Sequence, residues 1–274
     1  MAPLIFTPHP ALQPYIQCYV YTEMGTPGEW TQAEMAPPGY SALIILLETE
    51  KYCISVNGEE TQHYASPTFT GQITCFSDVH LYDRIKIFFV SFKPCGAYRL
   101  LGISQHECTG RSFHLTDLLG SSGKSLSEEL INQPDAHKVH AVLEQFLLQR
   151  LSLPAKKEIC DRLSYVSEQI RLHSHSNQLI SRICRKEGYS ISRLERHMKE
   201  IVGMGPKKFQ RIIRFNNTLS YIRLHRDECK WAQVAAQFGY YDQMHFIREF
   251  KLFYGKTPEA YDKEGWLMKI VHAG

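Results

Sequence analysis

Apolar residues in the C-terminal part of the chain recur at three- and four-residue intervals, the spacing of helices that bury one face. One arrangement of such helices occurs twice. In each copy a short apolar helix meets a glycine at a tight turn, a second helix follows, and a glycine and a proline close the unit. These residues are Gly188, Gly203 and Pro206 in the first copy and Gly239, Gly255 and Pro258 in the second. The pattern predicts two helix-turn-helix units about fifty residues apart.

The N-terminal half has a different pattern, which predicts strands. Short runs rich in Ile, Val, Tyr, Phe and Thr are separated by proline-rich stretches. The four runs are Gln17–Glu23, Ala42–Leu47, Lys51–Val56 and Arg84–Lys93. The pair Asn57-Gly58 follows the third run and is a short hairpin signal. In the last run both alternating sets of residues are largely apolar, so we expect that strand to be buried on both faces of a barrel or sandwich.

Helical patterns return after the last strand. We expect short helices at Pro94–Leu101 and Ser125–Asn132, and a longer one that Asp135 caps and that runs through Arg150. The longer helix carries an apolar stripe, which either packs on the sheet or forms a dimer interface. The stripe consists of Val139, Val142, Leu143, Phe146 and Leu147.

These patterns divide the chain into domains. We expect a β-rich domain with C-terminal helices at residues 1–150, a linker at 151–157, a helical domain at 158–265 and a tail at 266–274. The fold class is therefore α+β, with a barrel- or sandwich-like domain followed by an all-α domain that contains both helix-turn-helix motifs.

Charge separates the two parts as well. The chain has 31 Lys and Arg residues and 28 Asp and Glu residues. Residues 176–274 hold 18 basic and 10 acidic residues, which leaves 13 basic and 18 acidic residues before them. A solvated helical face would give the same excess of basic residues, but it would not explain the duplicated motif. A basic helical part joined to a mildly acidic part is typical of a DNA-binding module, so double-stranded DNA is the expected partner.

The composition of the chain further limits the class of protein to which it can belong. The chain is 43% hydrophobic, which suffices for packed cores, and no apolar run approaches the roughly 20 residues that span a bilayer. The first residues lack the basic start and apolar core of a signal peptide. The eight cysteines contain no C-x-x-C pair, which favours reduced thiols over a disulfide framework. We therefore expect a cytoplasmic protein with no membrane partner.

One run of residues in the second unit is specific enough to indicate a family. It reads VAAQFGYYDQMHF at Val234–Phe246 and continues with Arg248, Phe250, Lys251, Gly255, Thr257, Pro258 and Tyr261. With this run, the stretch from about Lys156 to Lys263, about 40% of the chain, resembles the DNA-binding domain of AraC/XylS-type transcriptional regulators. Cys184 and Met198 stand where the family usually has Ala and Phe, and both keep an apolar core.

The resemblance implies a function. It implies two helix-turn-helix units, joined by a long central helix at roughly Pro206–His225, that read two adjacent major grooves and regulate transcription. It also implies a small-molecule effector, RNA polymerase and a second copy of the chain as partners, and no cofactor. The N-terminal half is similar to the β-rich sensory domain of some of these regulators through three segments, Pro37–Gly39, Phe69–Gln72 and Val90–Pro94. This similarity identifies neither the effector nor any residue that would bind a cofactor.

Candidate DNA-reading residues lie on the second helix of each unit. The first such helix should begin near Ser190, and Ser192, Glu195 and Arg196 then share one face. Arg196 could bind guanine through two hydrogen bonds, and Glu195 could accept one from a cytosine amine. Alternatively, Arg196 pairs with Glu195 or with a phosphate.

Other cations near this helix are better suited to the DNA backbone. Arg193 and Lys199 flank the reading face, and Lys207 and Lys208 begin the central helix. Cations in such places position a protein on the duplex without reading its sequence. We therefore expect these four side chains to contact phosphates.

The second reading helix has a comparable polar set. It consists of Tyr241, Asp242, Gln243, His245 and Arg248. Gln243 could read adenine, and Asp242 either caps the helix N-terminus or contacts a base. Phe246 and Phe250 are expected in the core.

Two alternatives would make the chain an enzyme. Some relatives of this DNA-binding domain are fused to a DNA-repair module, which needs a zinc-binding cysteine cluster that the isolated cysteines do not offer. A cupin-like metal-dependent enzyme would need an H-x-H arrangement with a glutamate. The candidate histidines are His63, His80, His106 and His114. They lack that arrangement, so we expect no catalytic residue, no metal site and no enzyme activity.

Overall fold

Strands in the N-terminal part of the chain form two antiparallel sheets. The computed structural model describes residues 2–47, 51–56, 59–64, 67–131, 133, 135–152, 157–225 and 230–264. The strands are β1 (Leu4–Phe6), β2 (Ile16–Met24), β3 (Trp30–Met35), β4 (Ala42–Leu47), β5 (Lys51–Val56), β6 (Glu59–Tyr64), β7 (Thr68–Thr70), β8 (Ser77–Tyr82), β9 (Ile85–Phe92) and β10 (Ser112–His114). One sheet has the order β1-β2-β9-β4-β7-β10 and the other β3-β8-β5-β6.

The central strand β9 is apolar on both faces, as the sequence predicted. Phe88 and Val90 belong to the cluster that the helices cover, whereas Ile85 and Ile87 belong to a separate cluster with Val79 of β8. Because successive side chains of a strand point to opposite faces, one face of the larger sheet packs on helices and the other on the smaller sheet. The N-terminal part is therefore a sandwich with a helical layer outside it.

The four predicted strands correspond to β2, β4, β5 and β9, with ends that agree within about a residue. The expected Asn57-Gly58 turn lies outside the described residues, although β5 and β6 on either side pair antiparallel with Val56 opposite Glu59. The prediction missed β6 because its sequence, EETQHY, has no apolar alternation. It missed β7 and β10 because three residues are too few to show a period.

Five helices follow β9 in the described part of this half, and the short strand β10 lies between the second and the third of them. They are α1 (Gly96–Leu101), α2 (Gln105–Cys108), α3 (Leu115–Leu119), α4 (Ser121–Ile131) and α5 (Ala136–Leu151). The expectation that α4 starts at Ser125 was wrong, because its first turn is polar and gives no apolar period. The predicted cap of α5 is confirmed, since Asp135 accepts a hydrogen bond from the His137 backbone N–H at 2.8 Å.

The apolar stripe of α5 packs on the larger sheet, which was one of its two interpretations. Val139, Leu143 and Leu147 are fully buried in the same cluster as the sheet residues. Val142 and Phe146 are partly buried against that cluster. Burial of each such side chain contributes roughly 1.5–3 kcal/mol, so the stripe fixes α5 to the sheet.

The C-terminal part is helical throughout its described residues. Its helices are α6 (Lys157–His173), α7 (Leu179–Glu187), α8 (Ile191–Val202), α9 (Pro206–Leu224), α10 (Trp231–Gln237), α11 (Gln243–Tyr254) and α12 (Pro258–Glu264). The long central helix expected at roughly Pro206–His225 is α9, which ends one residue earlier, at Leu224. None of the helices in the described ranges has both the length and the apolar character needed to cross a membrane.

The two parts of the chain are in direct contact. The Asn216 side-chain amide on α9 donates to the carbonyl oxygens of Pro37 and Pro38, both at 3.1 Å. Thr109 donates to the carbonyl oxygen of Gly203, which ends α8, at 2.7 Å. The sandwich and its helices thus contact both the central helix and the end of the first unit.

The end of the second unit is held in the same way. Lys256 forms an ion pair with Glu34 of β3 at 2.6 Å. The ring of Phe76 lies against Gly255, where an added Cβ would come within 2.9 Å of the ring. The last turns of both α8 and α11 are therefore in contact with the N-terminal part.

Candidate nucleic-acid interface

The first unit consists of α7, a turn at Gly188 and α8. Gly188 has φ +66°, a left-handed conformation that glycine adopts without a Cβ clash. The Ser190 hydroxyl then accepts a hydrogen bond from the Arg193 backbone N–H at 3.2 Å and caps α8. This cap confirms that the helix begins near Ser190. Leu194 and Met198 are fully buried and hold α8 against the core.

The second unit repeats this construction with α10, Gly239 and α11. Gly239 has φ +70°, and Asp242 accepts a hydrogen bond from the His245 backbone N–H at 2.6 Å. Asp242 therefore caps α11, which was one of its two predicted roles. Phe246 and Phe250 are fully buried, as predicted.

The caps align the two reading helices residue by residue. In each helix the cap side chain accepts a hydrogen bond from the backbone N–H of the third residue after it, and the fourth residue is fully buried. A glycine in the left-handed conformation ends each helix thirteen residues after the cap. In this alignment Arg196 corresponds to Arg248, whereas Gln243 corresponds to Ile191. The two arginines are exposed and occupy the same place on the two helices.

Ser192, Arg193 and Arg196 lie exposed on α8, whereas Glu195 is partly buried. The Glu195 carboxylate forms an ion pair with Lys199 at 3.3 Å. It also lies against Gly205 at the start of α9, where a Cβ would come within 2.3 Å of Oε1. The ion pair described for Glu195 is thus with Lys199 and not with Arg196, the partner considered from the sequence.

The electrostatic environment of α8 is positive. Burial, together with the neighbouring Arg193 and Arg196 guanidinium groups, lowers the pKa of His197 below its usual value. Cations lower the pKa of a neighbouring imidazole because they disfavour a second positive charge. Lys207 and Lys208 are exposed on the first turn of α9, so they add to the same basic surface.

Gln243 and Arg248 are exposed on α11. Tyr241 is also exposed, but it precedes the cap of α11 and does not lie on the helix, where the sequence had suggested it. The His245 side chain is partly exposed, and its Nδ1 accepts a hydrogen bond from the Tyr241 backbone N–H at 3.3 Å. His245 therefore stabilises the turn into α11. Met244 was not among the predicted residues, and its side chain is 59% exposed on the first turn.

A buried ion pair that the sequence analysis missed fixes α11 in place. The Glu249 side chain is fully buried, and its oxygens accept hydrogen bonds from Arg214 and Arg211 of α9, each at 2.7 Å. Arg214 also donates to the carbonyl oxygen of Gly239 at 3.2 Å and lies over the Tyr240 ring at 4.2 Å. The signal was a glutamate at a position of α11 where the helical period requires an apolar residue.

The candidate metal ligands are dispersed. In the described ranges, no three His, Cys, Asp or Glu side chains come together in a way that could hold a metal ion. His80, His106 and His114 lie on β8, α2 and β10. The His63 side chain lies outside the described part.

Two family models match the chain. One, described as a helix-turn-helix domain, matches residues 183–264, from α7 through α12. The other, described as a domain of unknown function (DUF6597), matches residues 4–114. No curated protein matches the sequence.

Solved structures resemble this chain at low sequence identity. ToxT from Vibrio cholerae is 12% identical over 90% of this chain and 98% of ToxT, with a TM-score of 0.46. The AraC-like transcriptional activator CuxR is 15% identical over 74% of this chain and 77% of CuxR, with a TM-score of 0.28. A predicted oxalate decarboxylase from Thermotoga maritima is 12% identical over 33% of this chain and 77% of that chain, with a TM-score of 0.25. All three TM-scores are below 0.5.

Two helix-turn-helix units, with exposed second helices and a shared central helix, define a DNA-binding protein. The match at residues 183–264 assigns these units to the AraC type. The chain therefore contains an AraC-type helix-turn-helix domain at residues 183–264, and a β-rich domain precedes it.

Proposed function

We propose that the protein binds double-stranded DNA by placing α8 and α11 in two successive major grooves on one face of the duplex. The observation that carries this proposal is the uninterrupted helix α9 between the two units. Its 19 residues span about 28 Å at 1.5 Å per residue, close to the roughly 34 Å between successive major grooves.

The side chains of the interface divide by role. We propose that four side chains contact base edges: Ser192 and Arg196 on α8, and Gln243 and Arg248 on α11. Their exposure on the two reading helices supports this role. A second group positions the domain on the phosphate backbone or shapes the turns. This group comprises Ser190, Arg193, Glu195, Lys199, Lys207, Lys208, Tyr241, Asp242 and His245.

A selection experiment on randomised DNA tests this function. The chain of residues 1–274 should select two blocks of preferred bases about 10 base pairs apart. Arg196→Ala should relax one block only, at a cost of about 1–3 kcal/mol, and Gln243→Ala should relax the other. The two costs should add, because the sites share no partner. Arg171→Ala, which removes an exposed cation paired with Glu168 on α6, is the control and should leave both blocks intact.

The proposal would be wrong if both variants relaxed the same base pairs. It would also be wrong if the wild-type protein enriched no sequence at all.

Salt dependence tests the phosphate contacts separately. Binding should weaken steeply as salt rises, because each neutralised phosphate contributes roughly 0.9 to the slope of log affinity against log salt. Lys199→Ala should lower this slope by about one and weaken binding to all sequences alike. Lys124→Ala removes an exposed cation of α4, in the N-terminal part, and should leave the slope unchanged. An unchanged slope in Lys199→Ala would remove Lys199 from the interface.

The N-terminal part, residues 1–150, is proposed as the regulatory domain, joined by a linker at 151–157 to a DNA-binding domain at 158–265, with a tail at 266–274. We propose that it binds a small apolar or amphipathic molecule or mediates a homodimer, and that it catalyses no reaction. Ile44 and Phe89 support a ligand between the two sheets, since they pack against the apolar cluster there and are only partly buried. A regulator of this kind would act in the cytoplasm and contact RNA polymerase beside its operator.

A further inference from the structure

One of the positions at which the two reading helices differ is the second residue after the cap. The second residue after the cap is Ser192 on α8 and Met244 on α11. Both side chains are exposed, and that of Met244 is 59% exposed. A large apolar side chain on the outward face of a helix gains nothing from the core of its own domain.

Met244 belongs to the same surface as Arg248. The two residues are four positions apart, so they lie one above the other on the outward face of α11. The Arg248 guanidinium Nε donates to the Met244 carbonyl oxygen at 3.3 Å, which holds the arginine beside the first turn. The N-terminal residues of a recognition helix are the ones that contact base edges, so this turn is the part of α11 that meets the groove.

We propose that Met244 reads the C5-methyl group of a thymine next to the base that Arg248 contacts. This inference rests on the proposed DNA-binding function. Thymine is the base that presents a methyl group in the major groove, and apolar side chains recognise it by contact. Methionine suits such a contact because its thioether is flexible and polarizable. On α8 the equivalent residue is Ser192, so the proposal places no such methyl contact at that position.

The experiment removes the methyl group from the DNA. The chain of residues 1–274 first selects its sites from randomised DNA. Each thymine in the block that Gln243→Ala relaxes is then replaced by deoxyuridine, which pairs identically but has no methyl group. At one of these positions wild-type affinity should fall about fourfold, the effect of one buried methylene-sized group. Met244→Ser should bind the thymine and the deoxyuridine sites equally.

The reciprocal variant and a matched control complete the test. Ser192→Met should become sensitive to deoxyuridine in the other block. Leu224→Ser replaces an apolar side chain that is 81% exposed at the end of α9, and it should behave like the wild type. The inference is overturned if no deoxyuridine in the α11 block weakens wild-type binding, or if Met244→Ser keeps the wild-type sensitivity. A wild-type protein that bound no DNA would instead overturn the proposed function.

Discussion

Glu249→Ala should lower the free energy of unfolding by about 3–5 kcal/mol, the range for breaking a buried ion pair by removing one partner. The loss is large because Arg214 has only 7% of its side chain exposed and would keep its charge without a counter-ion. Chemical denaturation of the full chain measures the change. DNA binding should fall with it, because Arg214 also holds the Gly239 turn.

Arg211→Ala is the matched control. Its side chain contacts the same carboxylate but is 45% exposed, so water can replace it and the loss should be about 1 kcal/mol or less. Equal losses in Glu249→Ala and Arg211→Ala would show that the buried pair does not stabilise the second unit.

Gly239→Ala should be the most disruptive single change in the two turns. A Cβ at this position would lie 2.0 Å from the carbonyl oxygen of His175, so the backbone must shift. The left-handed conformation costs about 1–2 kcal/mol, and the overlap adds about 1–3 kcal/mol. Thermal unfolding should show the loss, and α11 should no longer be held at its distance from α8, which would weaken binding to both blocks together.

The equivalent glycine of the first unit provides the comparison. Gly188 has a similar φ, but an added Cβ there meets nothing within 4 Å. Gly188→Ala should therefore cost only the conformational part, about 1–2 kcal/mol. If both alanine variants lost the same free energy of unfolding, the overlap of the added Cβ with His175 would not contribute to the loss in Gly239→Ala.

Local signals predicted the reading helices well. A cap bonds to a backbone N–H only three residues along the chain, so the serine and aspartate at positions 190 and 242 set the start of α8 and α11 without help from the rest of the fold. The glycines that end these helices act within the same few residues. For this reason the predicted start of α8 near Ser190 agrees with the structure, and Asp242 caps α11, which was one of its two predicted roles.

Long-range contacts were not predictable in the same way. Glu249 and Arg214 are 35 residues apart in the chain, and Asn216 and Pro37 are 179 apart. No periodicity joins such residues, and each has an ordinary helical or loop pattern around it. The sequence could show that a glutamate stood in an apolar stripe, but only the packing of α11 on α9 identifies the arginine that neutralises it.

The continuity of α9 limits which insertions this protein can tolerate. An α-helix turns by about 100° per residue, so one residue inserted into α9 would rotate the second unit by that angle about the helix axis. The shift along the axis would be only about 1.5 Å, but α11 would then point away from the face of the duplex that α8 occupies. Insertions in this helix are therefore constrained by angle far more than by length, and only those close to whole turns keep both units in phase with the DNA.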